Sequence, residues 1–139
     1  MRICVDSSFV APIFLPEDWS DQAKQRAQRW LAQGVTLVAP DLWAYEVVSI
    51  VFKAVLRGGL SPDEGRPTLS AFLTFPITFI QPPGYEAAYT LAMAHRLPAP
   101  YDAQYLAVAE TEGIEFWTGD RKLYDRVHAA LAWVHWLGE

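Results

Sequence analysis

Apolar residues along the chain alternate between short continuous runs and stretches of helical period, and the changes of period outline its elements. RICVD at positions 2–6 is an apolar run, β-branched at Ile3 and Val5 and closed by an acid, which predicts a short buried strand. Ser7 and Ser8 are capping residue types, placed ahead of a helix expected from about Phe9 and interrupted near Pro16. Between Asp18 and Gln33 the residues Ala23, Ala27, Trp30 and Leu31 recur at helical spacing, and Gly34 supplies a stop. VTLVA (35–39) reads as a second strand. A long helix follows, opened by Pro40 with Asp41 as its expected cap, running through Arg57 and closed by Gly58 and Gly59.

Ser61-Pro62-Asp63-Glu64 has the form of another helix start, with an end before Pro76. ITFIQ (77–81) is the third expected strand. Gly84 to His95 is expected to be helical, with Ala88, Leu91, Ala92 and His95 on one face. Pro98 and Pro100 break the chain before a helix in which Asp102 is expected as the cap or as a first-turn acid. EFWT (115–118) predicts the fourth strand, DRKLYDRVHAAL (120–131) a helix and AWVHWL (132–137) the last strand. Short apolar strands alternating with helices predict parallel pairing and a single three-layer α/β/α sandwich over residues 1–139, with a mainly parallel central sheet. In such folds ligands bind beyond the carboxyl ends of the strands, where strand order reverses.

That rule gives the acids an address. Asp6 ends the first strand, Asp102 opens a helix and Asp120 follows the fourth strand. Glu46 lies on the long helix LWAYEVVSIVFKAVL, which is apolar almost all round. Glu46, Ser49, Lys53 and Arg57 form its narrow polar stripe. Taken singly, each acid has an ordinary role: a cap for Asp6, Asp102 and Asp120, and a solvated ladder for Glu46. Taken together, they form a cluster of carboxylates that repel one another unless a cation neutralises them, and hard oxygen donors suit magnesium or manganese. Asp63, Glu64, Glu110 and Asp125 read as surface residues, and His95, His128 and His135 have no ligand spacing.

Composition narrows the field. The chain has 139 residues, 52% of them hydrophobic, enough for one substantial core. Cys4 is the only cysteine, which excludes an intrachain disulfide and a thiolate metal site and makes a reducing, cytoplasmic setting the default. The apolar residues after Met1 and Arg2 are too few for a signal peptide, and no run approaches a membrane span. A net charge of −5 argues against gripping nucleic acid by charge alone. Six tryptophans, at 19, 30, 43, 117, 133 and 136, are expected mostly in the core, with some at a dimer or partner surface.

Three segments together resemble the PIN-domain ribonucleases, in particular the VapC-like toxins of toxin–antitoxin pairs. ICVDSS resembles the family's first strand with its first acid at Asp6, and PDLWAYEVVSIVFK the helix bearing the second at Glu46. YDAQYLAVAETEGIEFWTGDRKLY resembles the most specific segment, with the third and fourth acids at Asp102 and Asp120 and the small hydroxyl residue at Thr118. Leu123 stands where some members carry a further acid. The resemblance implies divalent-metal-dependent hydrolysis of RNA, with Asp6, Asp102 and Asp120 as metal ligands and Glu46 as a supporting ligand or water-orienting base. It also implies a cognate antitoxin. Ser7 and Thr118 are candidates to hold the carboxylates in place, and Lys53 and Arg57 to meet RNA phosphates. The apolar surplus of the long helix (Trp43, Val47, Phe52, Val55, Leu56) points to a homodimer or to an antitoxin helix in a groove.

Two rivals stand beside this reading. GDRKLYD also resembles the last acidic motif of haloacid-dehalogenase-like phosphatases, with Asp6 as nucleophile, although Ser8 departs from that family's first motif. A PIN-like binding module without chemistry is the other.

Overall fold

The computed structural model describes residues 1–81 and 85–139. Its strands are β1 (Arg2–Val5), β2 (Thr36–Ala39), β3 (Ile77–Phe79), β4 (Phe116–Thr118) and β5 (Val134–Trp136). Its helices are α1 (Ser7–Phe14), α2 (Ser20–Ala32), α3 (Leu42–Leu56), α4 (Pro62–Leu73), α5 (Tyr85–Ala94), α6 (Tyr101–Glu112) and α7 (Arg121–Val127). The five strands form one sheet in the order β3-β2-β1-β4-β5, and every described pairing is parallel. Cys4 stands between Val38 and Phe116 in the register, so β1 is the central strand. Val5 pairs with Trp117. The expected α/β/α sandwich is the fold observed.

The chain leaves β1 toward β2 and β3 and returns to the far side of β1 for β4 and β5. Right-handed crossovers therefore place α1–α4 on one sheet face and α5 and α6 on the other. The reversal puts the switch point between the carboxyl ends of β1 and β4. Burial follows this plan: Ile3, Val5, Leu37, Val38, Phe116 and Leu106 are all fully enclosed. On the α1–α4 face, Phe72 of α4 stacks on Phe14 at 4.8 Å and meets the edge of Trp43 at 5.7 Å, locking α1, α3 and α4 together. Gly65 is where α4 comes closest to α3, since a Cβ there would lie 2.8 Å from a Val55 methyl.

Several local expectations are corrected. The cap of α1 is Asp6, not Ser7 or Ser8, because Asp6 keeps extended backbone and its carboxylate accepts the Phe9 N–H. Asp41 makes no capping bond to α3 and instead accepts the Gln81 amide at 3.1 Å. Of the two places open to Asp102, it takes the first turn of α6, at the second position behind Pro100, and not the cap. Leu31 faces solvent, and α7 ends at Val127, four residues earlier than expected. The proposed helix start at Gly84 lies outside the described residues. Gly34 does end its helix segment in the left-handed region, with φ 75°. None of the six tryptophans is exposed. The exposed aromatic residues are tyrosines and phenylalanines, among them Tyr45, Tyr85, Tyr89, Tyr101 and Phe52.

Phe72→Ala should destabilise the protein by about 3–5 kcal/mol, since it removes the ring joining three helices. Denaturant unfolding checks this, and a loss below about 1 kcal/mol would mean that the three helices do not depend on that ring.

Candidate active site

The switch point gathers the predicted acids. Asp6 follows β1 directly and is almost entirely buried. Its Oδ1 accepts the Phe9 N–H at 2.8 Å and the Ser8 hydroxyl at 2.7 Å, and its Oδ2 accepts the Thr118 hydroxyl at 2.5 Å. Three donors aimed at one carboxylate suit its ionised, acceptor-only form. Thr118 serves a second acid as well, because its Oγ1 accepts the Asp120 N–H at 3.0 Å. Asp120 then caps α7, taking the N–H groups of Lys122 and Leu123 on Oδ1. The turn between them is closed by Gly119, whose N–H donates to Ser8 Oγ at 3.0 Å. A Cβ on Gly119 would lie 2.2 Å from the Ser8 carbonyl oxygen, so this glycine answers a close approach of two backbones and not a special turn angle.

Glu46 reaches the same edge from α3. Its Oε1 accepts the Ser7 hydroxyl at 3.1 Å and the buried Tyr105 hydroxyl of α6. Two supporting residues thus join the expected Ser7 and Thr118. Ser8 does more than the capping expected of it, and Tyr105 lies one helical turn beyond Asp102, the spacing that places side chains on one face. Asp102 and Asp120 line a cavity of about 120 Å³ together with Leu97, Leu123, Lys122 and Arg126. The two cations at this cavity escaped the sequence reading, although their i,i+4 spacing just after the last acid was available as a signal. Lys53 and Arg57 are exposed and do not line it. They lie seven and eleven residues beyond Glu46, about 10 and 16 Å along the helix axis.

The electrostatics are those of uncompensated negative charge. Burial, and then the Asp102 charge, push the Asp6 carboxyl up from 3.8 to about 7, against the lowering effect of its hydrogen bonds. Burial, followed by the charges of Asp120 and Glu46, pushes Asp102 from 3.8 to about 6. None of the four acids has an ion-pair partner among the described residues; the pairs present involve Glu112, Asp125, Glu115 and Glu139. An all-oxygen donor set with unbalanced charge fits magnesium or manganese and not an ion that prefers thiolate or imidazole. Among the described residues no three His, Cys, Asp or Glu side chains are grouped so as to hold a metal ion by themselves, so a cation here would need water ligands as well.

The sequence profile of the PIN domain matches residues 3–130, from β1 through α7. The chain belongs to the PIN-domain family. Among curated relatives, Ribonuclease VapC3 of Pyrobaculum aerophilum is 34% identical over 135 residues, covering 94% of this chain and 98% of that one. Two solved structures share the PIN fold. PAE2754 of Pyrobaculum aerophilum has a TM-score of 0.68 at 20% identity, covering 97% of this chain and 83% of its own. VapBC2 of Rickettsia felis, bound to a DNA fragment from its promoter, has 0.66 at 14%, covering 98% and 97%. The phosphatase alternative loses its footing in this PIN domain. Asp125, the second acid of its last motif, is an exposed partner of Arg121 at 2.8 Å.

A pH dependence follows from the raised carboxyls. Between about pH 4 and about pH 7 the folded chain holds a proton on Asp6 that the unfolded chain has released. Stability of the metal-free protein should therefore fall as pH rises through that window and level off above it. Denaturation in chelator across this range tests the sign. Asp6→Asn, which keeps a capping oxygen, should flatten the slope, and manganese should recover stability near neutrality. An unchanged slope in the variant would remove Asp6 as its source.

Proposed function

We propose that this chain is a divalent-metal-dependent endoribonuclease that hydrolyses RNA phosphodiester bonds as the cytoplasmic toxin of a toxin–antitoxin pair. The observation that carries this reading is a chain of mutually repelling acids at the switch point of a PIN domain, Asp6 beside Asp102 and Asp102 beside Asp120 and Glu46, with no ion-pair partner among the described residues. Asp6, Asp102 and Asp120 hold magnesium or manganese, directly or through water. The ion, when bound, lowers the pKa of a coordinated water and steadies charge on the phosphoryl oxygens. Thr118 sets the relative position of two ligands by donating to Asp6 and accepting from Asp120. Ser7 and Tyr105 both hold Glu46 through Oε1, which leaves Oε2 to orient the attacking water or accept its proton. Lys122 and Arg126 offset substrate phosphate charge at the cavity rim, and Lys53 and Arg57 meet the strand only farther along α3.

Partner surfaces accompany the site. An apolar groove of about 350 Å³ runs between α3 and α4, lined by Val48, Phe52, Val55 and Leu69. Phe52 is 61% exposed there, a residue suited to meet an amphipathic antitoxin helix. Tyr89 and Met93 give α5 an exposed apolar stripe for a second copy of the chain. No helix among the described residues is long and apolar enough to cross a membrane.

The deciding experiment is cleavage of a mixed RNA pool with manganese, comparing wild type with Asp102→Asn. Because Asp102 caps nothing and is repelled by its neighbours, the variant should keep or gain stability while cleavage falls at least about a hundredfold. Cleavage that survives in the folded variant would reject the site assignment. For the partner, Phe52→Glu should abolish co-purification with a co-expressed antitoxin candidate that the wild-type chain retains. A wild-type chain that sediments as a strict monomer and retains no such protein would defeat the partner reading.

A further inference from the structure

We propose that the tyrosine-lined groove over the carboxyl ends of β2 and β3 is a base-stacking subsite for single-stranded RNA entering the acidic site; this rests on the ribonuclease reading above. The groove encloses about 400 Å³, in the size range of sites for small planar ligands, and carries three exposed tyrosine rings, Tyr45, Tyr85 and Tyr101. Side-chain amides of Gln81 and Gln104 stand beside them, and the Gln81 amide is tied to Asp41 at 3.1 Å.

Its position follows from the sheet order. Pro40 and Asp41 come directly after β2 and Gln81 just after β3, so the groove occupies the β3–β2 side of the edge on which Asp6 and Asp120 occupy β1 and β4. Tyr45 immediately precedes Glu46, and Tyr101 immediately precedes Asp102. An RNA strand with a phosphate at the acids must leave across the two flanks of this edge. One flank offers Lys122 and Arg126, which suit the phosphate backbone. The other has no cation among its lining residues and one carboxylate, Asp41, which disfavours phosphate. Aromatic faces and amides are what a nucleobase recognises: rings stack on its π-face and amides reach its edge. All six tryptophans are withheld from this surface, so tyrosine alone supplies the platform.

The test uses the full chain and a short oligoribonucleotide carrying a site cleaved from the mixed pool. Tyr45→Leu/Tyr101→Leu should raise KM about tenfold or more, the scale of one lost base stack, with the loss falling on KM rather than on kcat. An oligonucleotide lacking one base beside the scissile phosphate should show the same loss with wild type and little further loss with the double variant. Anisotropy of the labelled oligonucleotide reads the same contact without turnover. If the mixed pool is not cleaved at all, tyrosine-dependent binding of the uncleaved pool would sink the ribonuclease reading and leave the groove standing. Cleavage and binding insensitive to both tyrosines would sink the groove alone. If the double variant instead converts a dimer to a monomer in sedimentation with RNA affinity unchanged, the groove is an interface between copies and the proposal is overturned.

Discussion

The Asp6 carboxylate is where the architecture and the chemistry are joined. It ends β1, caps α1 through the Phe9 N–H, and is gripped from β4 by Thr118 and from α1 by Ser8. These bonds cross the switch point, where the strand order reverses. Thr118 passes the constraint on to Asp120, and the close contact of Gly119 with Ser8 keeps the two turns together. Moving Asp6 would disturb a helix start, a strand end and a neighbouring acid at once.

The same arrangement is electrostatically costly. Hydroxyl and amide donors favour an ionised Asp6, while burial and the Asp102 charge favour a neutral one, and the second influence wins in the metal-free chain. Such a conflict persists only because the remainder of the molecule over-determines it. The aromatic lock of Phe14, Trp43 and Phe72 holds α3 in place, and α3 delivers Glu46. Under the proposed reading, a divalent cation would turn this repulsion into ligation.

Around this centre the chain sorts its aromatic residues by role. The tryptophans fill the core or pack against it, with Arg26 lying 4.2 Å above the Trp117 ring. Tyr45, Tyr85, Tyr89, Tyr101 and Phe52 meet solvent on surfaces where partners are expected. An aromatic ring with a polar handle tolerates water when unbound, which suits a surface that is only intermittently covered.

Much of this was legible in the sequence because it rests on local pattern. The apolar runs at RICVD, VTLVA and EFWT gave strands, Gly34 marked a stop, and the acids at strand ends pointed to one edge of a parallel sheet. Spacing could not decide which of two neighbouring groups makes a contact, and there the tertiary structure ruled. Asp6 took the cap that Ser7 and Ser8 were also able to make, because its extended backbone alone directs a carboxylate to the Phe9 N–H. Asp41 gave up capping for Gln81, a residue 40 positions away. Tyr105 joined the site by its bond from α6 to Glu46 on α3, and Lys122 and Arg126 by lining the cavity beside Asp102, relations that no single helical period contains. Local sequence therefore determined the elements and the acids at their ends. The tertiary structure decided the company those acids keep, because hydrogen bonds and charge repulsion depend on distances set only when separate elements meet.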